Sequence, residues 1–275
     1  VSTATPPAAL ARHARAGWPG RGGSTRRLRH RAALARLLWS PAGDRRLPST
    51  RALDRALDAL GSADLEWICE FSPLGPLWFL PTREWIAVLA RTLEGLGVQR
   101  VVEVAAGDGF LSRELARAAP DLEVLATDSG SWERSTARMS PGERRTLSNV
   151  EVPGVRLGDH VRRLDAITAV DRLKPDLVLA VWLPPGRILD RLIRSPVRYV
   201  LEVGGLGATP GQWSWRFSHE IWNGPLERLA RCRLDGHPRK ALHTRVTLYR
   251  GAAHPDHHEE RVRRGDWLWQ FRPRS

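Results

Sequence analysis

Three features between residues 103 and 128 could act together: an acid, Glu103, inside an apolar run; the stretch AAGDG at 105–109, nearly free of side chains; and a carboxylate, Asp128, nineteen residues past Gly109. An apolar run followed by small residues and then a helical pattern, with Leu111 and Leu115, reads as a strand-to-helix turn. In open α/β sheets ligands lie beyond the carboxyl ends of the strands, at such turns. Missing side chains there let a ligand approach the backbone, and the helix start offers free N–H groups. Gly107 and Gly109 alone could serve only the turn. A carboxylate ending the next strand, in VLATD, can accept two hydrogen bonds from a ribose diol. Burying Glu103 is costly unless it is hydrogen-bonded or paired.

Other residues could carry chemistry further along. Trp182, at the end of DLVLAVW, either walls a site or packs the core. Glu202 in RYVLEV either faces a site or points along a sheet edge. His219 and Glu220, expected to begin a helix, are base candidates, and Trp213 and Trp215 either stack on a planar substrate or pack that helix start. HPDHHEE, 254–260, has zinc-ligand residue types but no hydrophobic frame, so no metal site is expected. Cys69 and Cys232 are the two cysteines and show no metal spacing, which fits a reducing compartment.

The elements that must position these groups alternate. Strands are expected at 100–105, 122–127, 161–164, 176–182, 198–203 and 244–250, and helices at 110–119, 166–173, 186–194 and 217–230. Near-continuous apolar strands alternating with helices imply a parallel sheet covered on both faces. Upstream, a helix at 50–60 stops at Gly61, FSPLGPLWFLP (71–81) is a Pro-interrupted loop, and Thr82 caps a helix presenting Trp85, Ile86, Leu89 and Leu93. Ser140-Pro141-Gly142-Glu143 reads as a capping box.

VVEVAAGDG followed by TD resembles the first motifs of the class I S-adenosylmethionine-dependent methyltransferases over about residues 98–250. The resemblance maps onto Glu103, Ala105, Gly107 and Gly109, with Ala105 where the family usually has Gly. It implies a Rossmann-like, doubly wound, mostly parallel seven-stranded sheet with a C-terminal antiparallel hairpin strand, and S-adenosyl-L-methionine as cofactor. It further implies that Glu103 orients the ligand's amino group, Asp128 holds the ribose, and Asp165-Ala166 contacts the adenine, with Asp159 competing for that last role. Amino-directed members carry an acid or Asn, two prolines and an aromatic after the fourth strand. Leu183-Pro184-Pro185-Gly186 breaks that order, so the acceptor is left open. The alternatives are a non-catalytic cofactor-binding or scaffold protein of the same fold, and a nicotinamide-dependent oxidoreductase. The latter would want its third glycine where Ser112 stands.

Of the 275 residues 42% are hydrophobic, enough for one large core with additions. The formal charge is +13, of which residues 1–50 hold +9, so the basic character belongs to the N-terminal part. Lys occurs only at 174 and 240, and the Arg excess reflects either compositional bias or phosphate recognition. The expected organisation is a basic, partly disordered arm at 1–49, a helical cap at 50–97, the methyltransferase-like domain at 98–250 and a tail at 251–275 whose Trp267, Trp269 and Phe271 dock on the body. The helix at 25–39, with Leu28, Ala32, Ala35 and Leu38 on one face, could be an RNA-binding arm, an organelle transit segment or a plain packing helix. No run of eighteen apolar residues exists, so no membrane span and a cytoplasmic setting are expected.

Overall fold

The computed structural model describes residues 25–41, 43–60, 77–133, 155–183, 186–205, 214–222, 224–232 and 244–260. The elements are α1 (Thr25–Leu38), α2 (Thr50–Asp58), α3 (Arg83–Gly95), β1 (Arg100–Val104), α4 (Phe110–Ala118), β2 (Glu123–Asp128), β3 (Arg162–Arg163), α5 (Ala166–Leu173), β4 (Leu177–Val181), α6 (Ile188–Ile193), β5 (Tyr199–Gly205), β6 (His219–Ile221), α7 (Pro225–Leu229) and β7 (Thr244–Arg250). They build one seven-stranded sheet in the order β3-β2-β1-β4-β5-β7-β6. The pairs from β3 to β5 are parallel, and β7 runs antiparallel to both β5 and β6.

The apolar strands are explained by two covered faces. Val101, Leu177, Leu179, Leu201, Val203, Val246 and Leu248 pack with Trp85, Ile86 and Leu89 of α3, Leu115 of α4 and Leu226 of α7. The alternate residues Val102, Val104, Val178, Ala180, Val200 and Tyr249 pack with Val170 of α5 and Leu192 of α6. Burying each such aliphatic side chain stabilises the fold by roughly 1.5–3 kcal/mol before entropy is counted. Asp176 fixes register at the amino end, its Oδ2 accepting from the amides of Gln99 at 3.0 Å and Arg100 at 2.8 Å.

A third, smaller core holds Leu34, Leu38, Trp39, Leu53, Leu77 and Leu80. It joins α1 to α2 and the segment before α3, across the boundary drawn at residue 49. The buried stripe of α1 is Leu34 and Leu38, whereas Ala32 is exposed. Thr82 caps α3, its side chain accepting from the Trp85 amide at 3.2 Å. Leu80, in the segment before α3, donates to the Arg231 carbonyl at 2.8 Å, and Asp54 of α2 pairs with the Arg231 side chain at 2.7 Å.

The expected helix at 217–230 is a correction. Residues 219–221 form the edge strand β6, and only Pro225–Leu229 is helical. Pro225 at the helix start fixes its beginning, while Glu220 and its neighbours pair with β7. Gly61, Cys69, the 140–143 capping box, Pro184-Pro185, Trp213 and the aromatics at 267–271 lie outside the described residues. No helix among the described residues is long and apolar enough to cross a membrane.

Candidate functional site

A cavity of about 310 Å³ opens beyond the carboxyl ends of β1, β2 and β4. Its wall includes Glu103, Ala105, Gly107, Asp128, Asp165, Ala166 and Trp182. Seven of the sequence-derived candidates, separated by up to 79 residues, therefore meet around one space. Two strand ends supply the carboxylates, the first turn supplies the bare floor, and α5 closes one side.

Asp128 ends β2 and turns toward the first loop. Its Oδ2 accepts from the Gly107 amide at 3.0 Å and its Oδ1 from the Gly130 amide at 2.7 Å. Each carboxylate oxygen keeps a further acceptor position for a ligand. Gly107 has φ +56°, and a Cβ there would stand 3.1 Å from Val155 Cγ1. Ala105 has φ +53°, in the left-handed region where a side chain is strained. The Ala-for-Gly departure is accommodated by a backbone conformation that suits glycine better.

Gly109 behaves differently. It does not line the cavity; a Cβ there would meet His160 Nε2 at 2.4 Å and Val161 Cγ2 at 2.6 Å. The His160 ring also contacts the Gly109 carbonyl, Nε2 to O 3.0 Å. This glycine leaves the room in which the segment at 158–161 closes over the turn.

Glu103 is buried, and its Oε2 accepts from the Ser112 amide at 3.0 Å and from the Ser112 hydroxyl. Burial pushes its carboxyl up to about 8, the charges of Asp108 and Asp128 push the same way, and the two Ser112 bonds oppose them. Ser112, where a dinucleotide fold would carry a third glycine, is thus the partner that makes a buried acid tolerable.

Asp165 caps α5: Oδ1 accepts from the amides of Ile167 and Thr168, both at 3.1 Å, and Oδ2 from the Thr168 hydroxyl. These bonds, the Thr168 hydroxyl foremost, hold its carboxyl below the usual range. Ala166 beside it is buried. Asp159 is exposed and outside the cavity wall.

The opposite wall comes from the residues before β1. Trp78, Phe79 and Pro81 line it, and Trp78 meets Trp132 edge-on with ring centroids 6.3 Å apart. Phe79 packs on Trp85 at 4.7 Å, and the Trp85 indole donates to the Leu226 carbonyl at 3.0 Å. Arg45 also reaches this cavity: Nη1 donates to Asp108 Oδ2 at 2.9 Å, and the guanidinium lies 4.3 Å from the Phe110 ring centroid. Sequence reasoning missed Arg45, Trp78, Trp132 and Arg156. The aromatic density of the 71–81 loop was a signal for Trp78; nothing in the sequence singled out one arginine among so many.

Trp182 follows β4 with φ +58°, and its amide donates to the Val203 carbonyl at 2.7 Å. Glu202 and His219 do not line the cavity. Glu202 is buried on the β5 face that packs α6, not at an edge, since β5 lies between β4 and β7. His219 sits on β6, its Nδ1 2.7 Å from the Phe217 carbonyl and its ring stacked 6.2 Å from Trp215. The histidines of 254–260 serve local contacts, with His257 Nδ1 2.7 Å from the Arg250 carbonyl. Glu259 pairs with Arg194 at 2.6 Å and Arg216 at 2.7 Å. Among the described residues no group of three His, Cys, Asp or Glu could hold a metal ion.

No protein-family model matches the chain, and no curated protein matches its sequence. Among solved structures it is similar to the 23S rRNA methyltransferase ErmE, at 21% identity over 64% of this chain and 71% of that one, TM-score 0.33. It is also similar to an S-adenosylmethionine-dependent O-methyltransferase from Thermotoga maritima, at 15% identity over 66% and 67%, TM-score 0.35. A third similar structure is the plantazolicin methyltransferase BpumL in complex with S-adenosylhomocysteine, at 10% identity over 61% and 82%, TM-score 0.30. Independently of these matches, the strand order with its inserted antiparallel β7 is the Rossmann-like, mostly parallel seven-stranded sheet that the sequence resemblance implied.

Proposed function

We propose that this chain is an S-adenosylmethionine-dependent methyltransferase. The observation that carries the reading is the convergence of Glu103, Ala105, Gly107, Asp128, Asp165 and Ala166 on one cavity at the strand ends. The residues fit the group. Asp128 would hold the ribose hydroxyls, Glu103 the amino group, and Asp165 with Ala166 the adenine, while the floor at 105–107 leaves room for the nucleoside. Bound there, S-adenosylmethionine supplies an electrophilic methyl on a sulfonium. The chain's own residues position and enclose: Asp128 ties the first loop to β2, and Trp78, Trp132 and Trp182 give the wall apolar surface. Orienting a nucleophile against that methyl can supply much of the rate without a dedicated base.

The test is calorimetric titration of the full chain with S-adenosylhomocysteine, followed by a tritiated methyl-transfer assay on fractionated RNA, protein and metabolites. Folded protein with no affinity for the nucleoside overturns the reading. Binding without transfer to any fraction favours a non-catalytic protein of the same fold.

RNA is the acceptor class we favour, on the exposed Arg29 and Arg36 of α1 and the basic balance of residues 1–50. Deleting 1–50 is a poor test, because Leu34, Leu38 and Trp39 are buried in the small core. Removing residues 1–24 and replacing Arg29 and Arg36 by Gln spares that core. Weaker RNA binding with a flatter salt dependence is the expected result, and unchanged affinity excludes this surface.

A further inference from the structure

Arg45 is held from several directions. Its backbone bridges to Trp39, the Arg46 amide donates to the Leu38 carbonyl at 2.8 Å, Nη1 bonds Asp108, and the plane rests on Phe110. The side chain is only 15% exposed and lines the cavity. Its Nε is nevertheless buried with no hydrogen-bond partner among the described residues. Buried N–H groups without acceptors are rare, because each loses its water without replacement. A guanidinium that lines the cavity, fixed by one anion and one ring and still 15% exposed, has N–H groups left over for an acceptor that the described residues do not provide, and its sealed Nε marks how incompletely they satisfy it.

We propose that Arg45 is a ligand-binding residue that holds an oxyanion in this cavity, so that the segment before β1 completes the site. The planar fork of N–H groups matches a carboxylate or phosphate, and burial strengthens such a charge-assisted bond. That oxyanion comes either from the amino-acid portion of the methyl donor or from an anionic acceptor. The choice of nucleoside probes rests on the methyl-donor reading above.

The experiment compares wild type with Arg45→Gln and Arg45→Lys, using three probes: S-adenosylhomocysteine, 5′-methylthioadenosine (which lacks the amino-acid portion), and inorganic phosphate titrated with S-adenosylhomocysteine already bound. If the donor supplies the oxyanion, Arg45→Gln weakens S-adenosylhomocysteine roughly ten- to hundredfold and leaves 5′-methylthioadenosine unchanged. If the acceptor supplies it, both nucleosides bind Arg45→Gln as they bind wild type, and a phosphate site present in wild type is lost. Equal weakening of both nucleosides overturns the proposal, since Arg45 then acts only through the loop. So does a variant indistinguishable from wild type with all three probes. Should Arg45→Gln fail to fold, Arg45→Lys decides through the lost planar fork: it keeps the charge, so the same probe should weaken by a smaller factor, and equal weakening of both nucleosides still overturns the proposal. Wild type that binds neither nucleoside would sink the methyl-donor reading instead, and phosphate titrated alone would then test Arg45.

Discussion

Asp128 Oδ2 and the Gly107 amide stand 3.0 Å apart, across 21 residues of chain, so the carboxylate proposed to hold the ligand's sugar also holds the loop beneath it. Together with the Gly130 bond at 2.7 Å, it satisfies two amides. Asp128→Ala should therefore cost about 1–3 kcal/mol of stability as well as affinity. Asp128→Asn keeps one acceptor oxygen and turns an NH2 toward the other amide, so it should lose about 1 kcal/mol, less than Asp128→Ala. Its affinity for S-adenosylhomocysteine should still fall about tenfold, because neutral hydrogen bonds are roughly half as strong as charge-assisted ones. Chemical denaturation and calorimetry on the same samples separate the two effects; an Asn variant with wild-type affinity would remove Asp128 from the ligand.

The left-handed φ of +53° at Ala105 predicts a substitution that improves the fold. Ala105→Gly should raise stability by about 0.5–1 kcal/mol, since glycine meets no Cβ penalty there. The reverse holds at Gly109, where φ is +67° and a Cβ would sit 2.4 Å from His160. Gly109→Ala should lose roughly 1–3 kcal/mol. Denaturant midpoints decide both, and a stability loss in Ala105→Gly would contradict the strained turn.

Glu103 gives stability a slope with pH. Its carboxyl is raised from the ordinary 4.5 to about 8, chiefly by burial. Below 4.5 both folded and unfolded chains hold the proton, and the stabilising contribution is fully present. Between 4.5 and 8 only the folded chain holds it, so stability falls with rising pH by up to about 1.4 kcal/mol per unit. Above 8 the loss is complete. Glu103→Gln cannot titrate, so its advantage over wild type should grow from pH 5 to 8 and then level off. A cation of the ligand against Glu103 would favour the carboxylate, so binding should release protons in the same window. Calorimetry in two buffers of different ionisation enthalpy reads that release; a constant difference between the variants, with no proton release, would contradict the buried acid.

The sheet and half of the cavity were legible because their signals are local. The apolar strands, the bare 105–107 turn and the carboxylate at 128 each announce themselves within a few residues. The span 217–230 misled because β6 is only three residues long and borders a five-residue helix, so its apolar residues match a helical spacing as well as a strand. His160 under Gly109 and Arg45 on Asp108 are contacts across 51 and 63 residues, which no window along the chain contains. Arg45 had the further disadvantage of standing in an arginine-rich segment, where charge density hides a single positioned side chain.

Away from the cavity, Asp190 supports the far side of the sheet. It is buried, accepts from the Ser214 hydroxyl at 2.5 Å and pairs with Arg216, which also reaches Glu259 at 2.7 Å. Glu259 in turn binds Arg194 at 2.6 Å, the residue just past the end of α6, the helix that carries Asp190. The chain of charges thus joins α6, the residues before β6 and the segment after β7. Removing Asp190 takes the acceptor from the Ser214 hydroxyl and one of two anions from Arg216, which keeps Glu259, so Asp190→Ala should destabilise by about 1–3 kcal/mol. Glu259→Ala removes a half-exposed partner and should cost about 1 kcal/mol or less, declining with added salt. Thermal melts at low and high ionic strength distinguish them: the Asp190 effect should persist in salt, and equal salt-sensitive losses in both variants would show that Asp190 is no more shielded than Glu259.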